Sequence, residues 1–155
     1  GRSEPNAGGA IGFATSPDVM TWTLQKPIYD GGAFGQLEVP QVFEHQGRWY
    51  MMFCTAAEHW SKAYREANPQ KPLTGNHYLM APSALGPWTP AIPFLDGRDP
   101  CKRYCGKIVE RNGKLAIMGF LYYDRDGHFI GQVSDPVPVS VLPDGRLFVE
   151  DDGNG

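Results

Sequence analysis

Few side chains in this 155-residue sequence could do chemistry, and they are scattered. Glu38 stands in Leu37-Glu38-Val39-Pro40-Gln41-Val42-Phe43, where an apolar run begins. A second run, Arg48-Trp49-Tyr50-Met51-Met52-Phe53, follows the polar turn His45-Gln46-Gly47. A carboxyl can give or take a proton, but most acids are solvated. On its own Glu38 therefore reads as a loop residue, and only its surroundings can give it a role. Cys54, Cys101 and Cys105 make an odd count, which argues against a dense disulfide framework. Cys101 and Cys105 look like half of a thiolate metal site, yet no second Cys or His pair stands nearby, so no metal is expected. His59 and Trp60 lie on a polar stretch, and Arg98, Lys102, Arg103 and Tyr104 gather ahead of another apolar run.

Composition points to the kind of scaffold that must hold these groups. Nineteen Gly and fourteen Pro are spread along the chain, as expected for many short elements separated by turns. A net charge of −3 gives no basic footprint for nucleic acid. No apolar run approaches the roughly 18–20 residues of a membrane helix, so neither nucleic acid nor membrane is an expected partner. The opening residues carry no charged-then-apolar leader pattern.

Alternating and apolar runs predict strands at 10–15, 21–24, 38–45, 48–56, 77–81, 106–110, 114–121, 129–133, 137–142 and 146–149. Asn112-Gly113 gives a strong two-residue hairpin signal. Residues 57–76 form a long polar insert with room for one or two helical turns before Pro69 and Pro72.

An internal repeat orders these pieces. Trp22-Thr23, Pro27, Asp30-Gly31, Glu44, Gly47 and Met52 recur sixty-six positions later as Trp88-Thr89, Pro93, Asp96-Gly97, Glu110, Gly113 and Met118. A four-stranded unit repeated in this way is the sequence form of a propeller blade. The expectation is an all-β partial propeller of about two and a half four-stranded blades in a single domain, 1–155. Its outer strands lie at 10–30, one blade at 39–95 with the insert 57–76, and another at 105–149. By equivalence Trp22 and Trp88 are expected to pack blades together. Propellers close with four to eight blades, so uncovered faces and edges predict a homo-oligomer, most simply a twofold dimer.

The ordered pattern Ile11-Gly12-Phe13-Ala14-Thr15-Ser16-Pro17-Asp18, Thr21-Trp22-Thr23, Glu38-Val39-Pro40-Gln41-Val42-Phe43 and Gly47-Arg48-Trp49-Tyr50-Met51 resembles the five-bladed β-propeller glycoside hydrolases. These include the invertase, inulinase and levanase group (family 32) and the arabinan- and xylan-cleaving enzymes (family 43). The resemblance covers the C-terminal half of such a catalytic domain. It implies a protein that binds or cleaves a fructosyl, arabinosyl or xylosyl glycan without a cofactor. Glu38 stands where that family's Glu-Cys-Pro motif carries the general acid/base, with Val39 in place of the Cys.

Retaining hydrolysis needs two carboxyl groups about 5–5.5 Å apart. The resemblance places the nucleophile before Glu38, where this chain has no matching segment, so the partner within the chain is Asp99 of Gly97-Arg98-Asp99-Pro100. His59 and Trp60 would form a sugar-stacking wall, or Trp60 would pack the insert down. Arg98, Lys102, Arg103 and Tyr104 would hold sugar hydroxyls, or belong to a solvated basic turn. The competing expectation is a non-catalytic carbohydrate-binding or oligomer-forming module that lacks the nucleophile.

Overall fold

Asp18 reverses the first segment: its Oδ1 accepts from the amides of Met20 (2.9 Å) and Thr21 (2.7 Å). This is the Asx geometry that makes Asp a turn former, and it lays β1 (Ala14–Thr15) antiparallel to β2 (Thr23–Leu24). The computed structural model describes residues 4–91, 95–97, 101–124 and 126–150. The chain divides into two compact units, Gly1–Leu37 with Ala57–Pro72, and Glu38–Ala56 with Leu73–Gly155.

In the first unit, bridges Ile11↔Tyr29 and Phe34↔Trp60 extend the pairing beyond β1 and β2. The insert forms a 3-10 turn at Ala57–His59 and then helix α1 (Lys62–Ala67). Ser61 caps the helix by accepting from Tyr64 N at 3.2 Å, and the helix stops at Asn68, ahead of Pro69, which could not continue it. Phe34, Trp60 and Tyr64 meet edge to face and tilted, at centroid distances of 4.8–5.9 Å, and form the unit's aromatic centre.

The second unit holds the two blades. Gln46 and Gly47 both take positive φ, 54° and 76°, as do Asn112 and Gly113, 54° and 72°. Such angles match the right-handed twist of a two-residue hairpin. They close β3 (Glu38–His45) onto β4 (Arg48–Thr55) and, with β5 (Gly75–Ala81), β6 (Thr89–Pro90) and β7 (Asp96–Gly97) intervening, β8 (Arg103–Arg111) onto β9 (Lys114–Tyr123). In the first sheet β4 lies between β3 and β5, and β6 and β7 share the outer edge of β5.

The second sheet has β9 at its centre, between β8 and the pair β10 (Phe129–Val133) and β11 (Val137–Val141), with β12 (Leu147–Val149) outermost. Pro136 lies at the break between β10 and β11, where a residue without an amide hydrogen cannot continue the ladder. Each sheet is therefore four strands wide, as a blade requires, and the architecture is that of an all-β partial propeller. The sheets pack through Tyr50, Met52 and Tyr78 on one side and Ile108, Leu115, Ile117, Val137, Val139 and Leu147 on the other. Tyr50 donates to Gly145 O (2.8 Å), and Tyr78 Oη accepts from Leu147 N (2.9 Å).

One packing expectation is corrected. Trp88 is buried, but Trp22 is 61% exposed, with its indole N–H spent on Val19 O (3.1 Å). Among the described residues of that unit the one sheet is the short β1–β2 pair, and most of the ring stays uncovered.

Candidate functional site

The repeat extends to backbone conformation, and this is what builds the site. The β3–β4 ladder breaks register between Glu38 and Gln41, and the β8–β9 ladder between Tyr104 and Lys107, at equivalent places. The bulged residues Val39 and Cys105 both have positive φ, 47° and 50°. For β-branched Val39 this is a strained conformation, costing on the order of 1–3 kcal/mol, and it persists only where surrounding contacts hold it. The ammonium of Lys107 donates to Val39 O across the blades. Gln41 inserts its amide as a surrogate strand, its Nε2 donating to Ile108 O and its Oε1 accepting from Ile108 N, each at 2.8 Å.

These twin bulges bring the equivalent residues Glu38 and Tyr104 together. The Tyr104 hydroxyl donates to Glu38 Oε2 at 2.6 Å, and both residues are half-buried. Burial first, and then the hydrogen bond to the Glu38 carboxylate, push the Tyr104 phenol far above its ordinary value, so it stays a donor at any working pH. Tyr104 also stacks on Tyr122 (5.6 Å, 21°), and Phe120 meets Tyr122 edge-on (5.8 Å). This aromatic row beside the carboxylate was not singled out in the sequence. The signal for it was the period-two spacing of Phe120 and Tyr122 on a strand opposite Tyr104.

Asn76 supports the β8 bulge from beneath. It is fully buried; its Oδ1 accepts from Gly106 N (2.8 Å) and from the Cys54 thiol (2.9 Å), and its Nδ2 donates to Arg103 O (3.0 Å). The Cys54 sulfur in turn accepts from Cys105 N at 2.9 Å, and burial holds the Cys54 thiol protonated, pushed up to about 12. Gly106 must be Gly here, because a Cβ would sit 2.7 Å from Asn76 Oδ1. The equivalent Pro40 is exposed and has no amide hydrogen to satisfy.

The remaining candidates fall elsewhere. Arg98 and Asp99 lie outside the described residues. Trp60 is 1% exposed, its ring packed by Phe34 and Tyr64 in the first unit, so no face is open to a sugar. His59 is half-buried in the same unit and its carbonyl accepts from Gly35 N (2.7 Å). Arg103 is no solvated basic residue: it is 1% exposed and its Nε donates to buried Asp96 Oδ2 at 2.8 Å.

Cys54, Cys101 and Cys105 are all free thiols. Among the described residues, metal-ligating atoms come together in Asp124, Asp126 and His128, within 4.8 Å of one another. The Asp124 carboxylate is already engaged by the amides of Asp126 and His128, which accounts for the turn without an ion. A cleft lined by His45, Lys114, Ser140 and Glu150 lies at the far end of β3 from Glu38. Ser140 donates to Glu150 there at 2.6 Å.

No protein-family model matches the sequence, and no curated protein does. Solved structures do match. An inulosucrase from Halalkalicoccus jeotgali bound to kestose superposes with a TM-score of 0.72 at 20% identity, over 90% of this chain and 39% of that one. A B. megaterium levansucrase mutant gives 0.69 at 14% identity over 92% and 34% of the two chains. The levansucrase from Gluconacetobacter diazotrophicus gives 0.68 at 14% over 91% and 32%. The chain thus spans only 32–39% of the length of these neighbours.

Identities this low speak to fold alone, and the fold is a partial β-propeller like that of these neighbours. Within that fold the particular likeness is to inulosucrase and levansucrase. It supports the propeller fold and not the invertase group or the arabinan- and xylan-cleaving group specifically.

Proposed function

We propose that this chain binds fructosyl glycans at the Glu38–Tyr104 pair, as the acid-bearing part of a propeller site. The observation that carries the reading is the 2.6 Å bond from Tyr104 to Glu38. The repeat places a carboxylate and a phenol at equivalent bulges of adjacent blades, where scaffold geometry alone calls for neither. With Oε2 held by the phenol, Oε1 is turned to use on a sugar hydroxyl or a glycosidic oxygen. The stacked Tyr104 and Tyr122 rings offer aromatic surface for the apolar side of a furanose. Support for the fructosyl class comes from the neighbours, which include an inulosucrase bound to kestose and a levansucrase complexed with sucrose.

Retaining hydrolysis would require a second carboxyl about 5–5.5 Å from the first. Asp99, the expected second carboxyl, lies outside the described residues; binding is the reading proposed, and turnover is an outcome of the test. Titration of the purified chain with kestose and with sucrose by calorimetry tests it. Saturable binding is expected, weakened about tenfold or more in Glu38→Gln with an unchanged circular dichroism spectrum, and weaker binding to arabino- and xylo-oligosaccharides. No binding, or equal affinity in the variant, overturns the reading. Fructose release by the parent and not by Glu38→Gln would replace binding with catalysis. Self-association through uncovered blade faces is a separate proposal: sedimentation at micromolar concentration supports it with a dimer and overturns it with a monomer.

A further inference from the structure

The hairpin ends of the two blades enclose a cleft of about 460 Å³ that the Glu38–Tyr104 pair does not use. Its walls come from the second unit alone: the turn that closes β3 onto β4, the start of β9 at Lys114, and β11 with Glu150. His45 is the most buried polar group of the lining, at 7% exposed, and its Nδ1 lies 3.4 Å from Glu110 Oε2. A carboxylate only accepts, so Nδ1 donates to it and the neutral ring presents Nε2 as an acceptor. No described residue bonds that nitrogen, and it is not sealed from solvent.

The other polar groups of the cleft are held ready in the same way. Ser140 Oγ donates to Glu150 Oε1 at 2.6 Å, which fixes both side chains and leaves Glu150 Oε2 as a second acceptor. Lys114 is exposed, and among the described residues its ammonium makes no ion pair. Gln46 adds an amide that both donates and accepts.

This lining selects its ligand by chemistry. It carries one cation and one carboxylate, so an anion would meet Glu150 and a cation would meet Lys114. A hydroxyl gives its proton to His45 Nε2 or Glu150 Oε2 and takes one from Lys114, so it pairs with every polar group present. Pro138 supplies an apolar ring for the C–H face of a sugar, and the volume falls in the range of small-molecule sites. A second hollow of about 320 Å³ shares Gln46 and Val141 with the first and continues it toward Arg48. The trough therefore suits a chain of sugar rings better than a single ring.

We infer that this cleft is a second carbohydrate site, which holds a neutral oligosaccharide by its hydroxyls between His45, Glu150 and Lys114. It lies at the far end of β3 from Glu38 and rests on its own groups, independently of the reading given to the Glu38–Tyr104 pair.

Amide NMR titration of the full chain with kestose at about pH 8, above the ordinary imidazole range, reads the two places separately. The amides of Gln46, Lys114 and Ser140 report the cleft, and those of Tyr104 and Cys105 report the bulges. Saturable shifts are expected at the first three, in the parent and equally in Glu38→Gln. Lys114→Ala and Glu150→Ala, both at exposed positions, should each weaken the cleft titration by about tenfold and leave Tyr104 and Cys105 as in the parent. Inorganic phosphate and putrescine, each of a single charge sign, should give no saturable shift. Cleft shifts with none at Tyr104 uphold this inference and remove the other reading. An absence of saturable shifts at the cleft overturns it whatever happens at Tyr104, and so does a cleft titration that both variants leave unchanged. Saturation by phosphate or putrescine without saturation by kestose makes the cleft an ion site and likewise overturns it.

Discussion

At the scale of single residues, Asn76 decides whether Tyr104 reaches Glu38. Its amide satisfies Gly106 N and Arg103 O, which flank Tyr104 and Cys105 on the bulge. Asn76→Ala would leave Gly106 N buried without its partner and Arg103 O with the Cys101 thiol (2.9 Å) in place of two donors, and each hydrogen bond lost from a buried group costs about 1–3 kcal/mol. The expected result is a destabilisation of about 2–4 kcal/mol by urea denaturation, together with weaker kestose binding in the fraction that remains folded. Tyr104→Phe should behave differently. The ring keeps its stack on Tyr122 and loses only the hydroxyl bond to a half-exposed carboxylate, so stability should fall by about 1 kcal/mol. Kestose affinity should fall further than that loss of stability would account for. A Phe variant that binds as well as the parent would remove the phenol from the site.

At the scale of elements, the bulge on β8 is the device that fits one blade against the next, and Gly106 is its tightest point. A methyl there would meet Asn76 Oδ1 at 2.7 Å and Ile117 Cδ1 at 2.9 Å. Gly106→Ala should therefore cost about 1–3 kcal/mol, read as a lower urea midpoint, and should shift the amide resonances of Tyr104 and Cys105. Gly113→Ala meets nothing within 4 Å and acts only through its positive φ, so it is the matched control. Much of this architecture was legible beforehand, because the spacing of sixty-six residues binds Trp22, Glu44, Gly47 and Met52 to their counterparts without a gap. The two hairpin turns and the helix in the insert could be read from Gly, Asn and Pro positions for the same local reasons. The bulges could not. Their residues are Val39 and Cys105, neither a residue type that favours positive φ, so only contacts between blades hold them there. Trp22 was misread as blade packing, and of the two readings left open for Trp60 the structure shows the packing one. An aromatic side chain carries no local sign of whether the rest of its layer is present, and Trp60 finds Phe34 and Tyr64 where Trp22 finds no covering sheet.

At the scale of the whole molecule, buried titratable groups set a pH window for stability. His77 on β5 is buried against Phe53, its rings 5.8 Å apart, and its Nδ1 lies 3.0 Å from Gly75 O. Burial drives its pKa down from 6.5 to about 4, with the Gly75 carbonyl opposing part of the shift. The folded protein thus holds a neutral imidazole where the unfolded chain binds a proton. The stability this contributes is complete above about pH 6.5 and is lost as pH falls toward 4, on the order of 3 kcal/mol across that range. Cys54, Cys101, Tyr64 and Tyr78 bound the other side. Burial pushes the two thiols from 9.0 and the two phenols from 10.0 up to about 12, so the unfolded chain ionises first, and stability declines as pH rises from about 9 toward 12. Urea midpoints measured from pH 4.5 to 11 should therefore trace a plateau between about pH 6.5 and 9 that falls away on either side. His77→Phe keeps the stack on Phe53 and removes the proton site, so it should flatten the slope between pH 6.5 and 4.5 and leave the alkaline limb unchanged. Carboxylate titration would act lower: Asp18, Asp124 and Asp144 are held below their ordinary value of 3.8, in each case first by backbone amide bonds. An acid limb that survives unaltered in His77→Phe would therefore move the switch to groups other than His77.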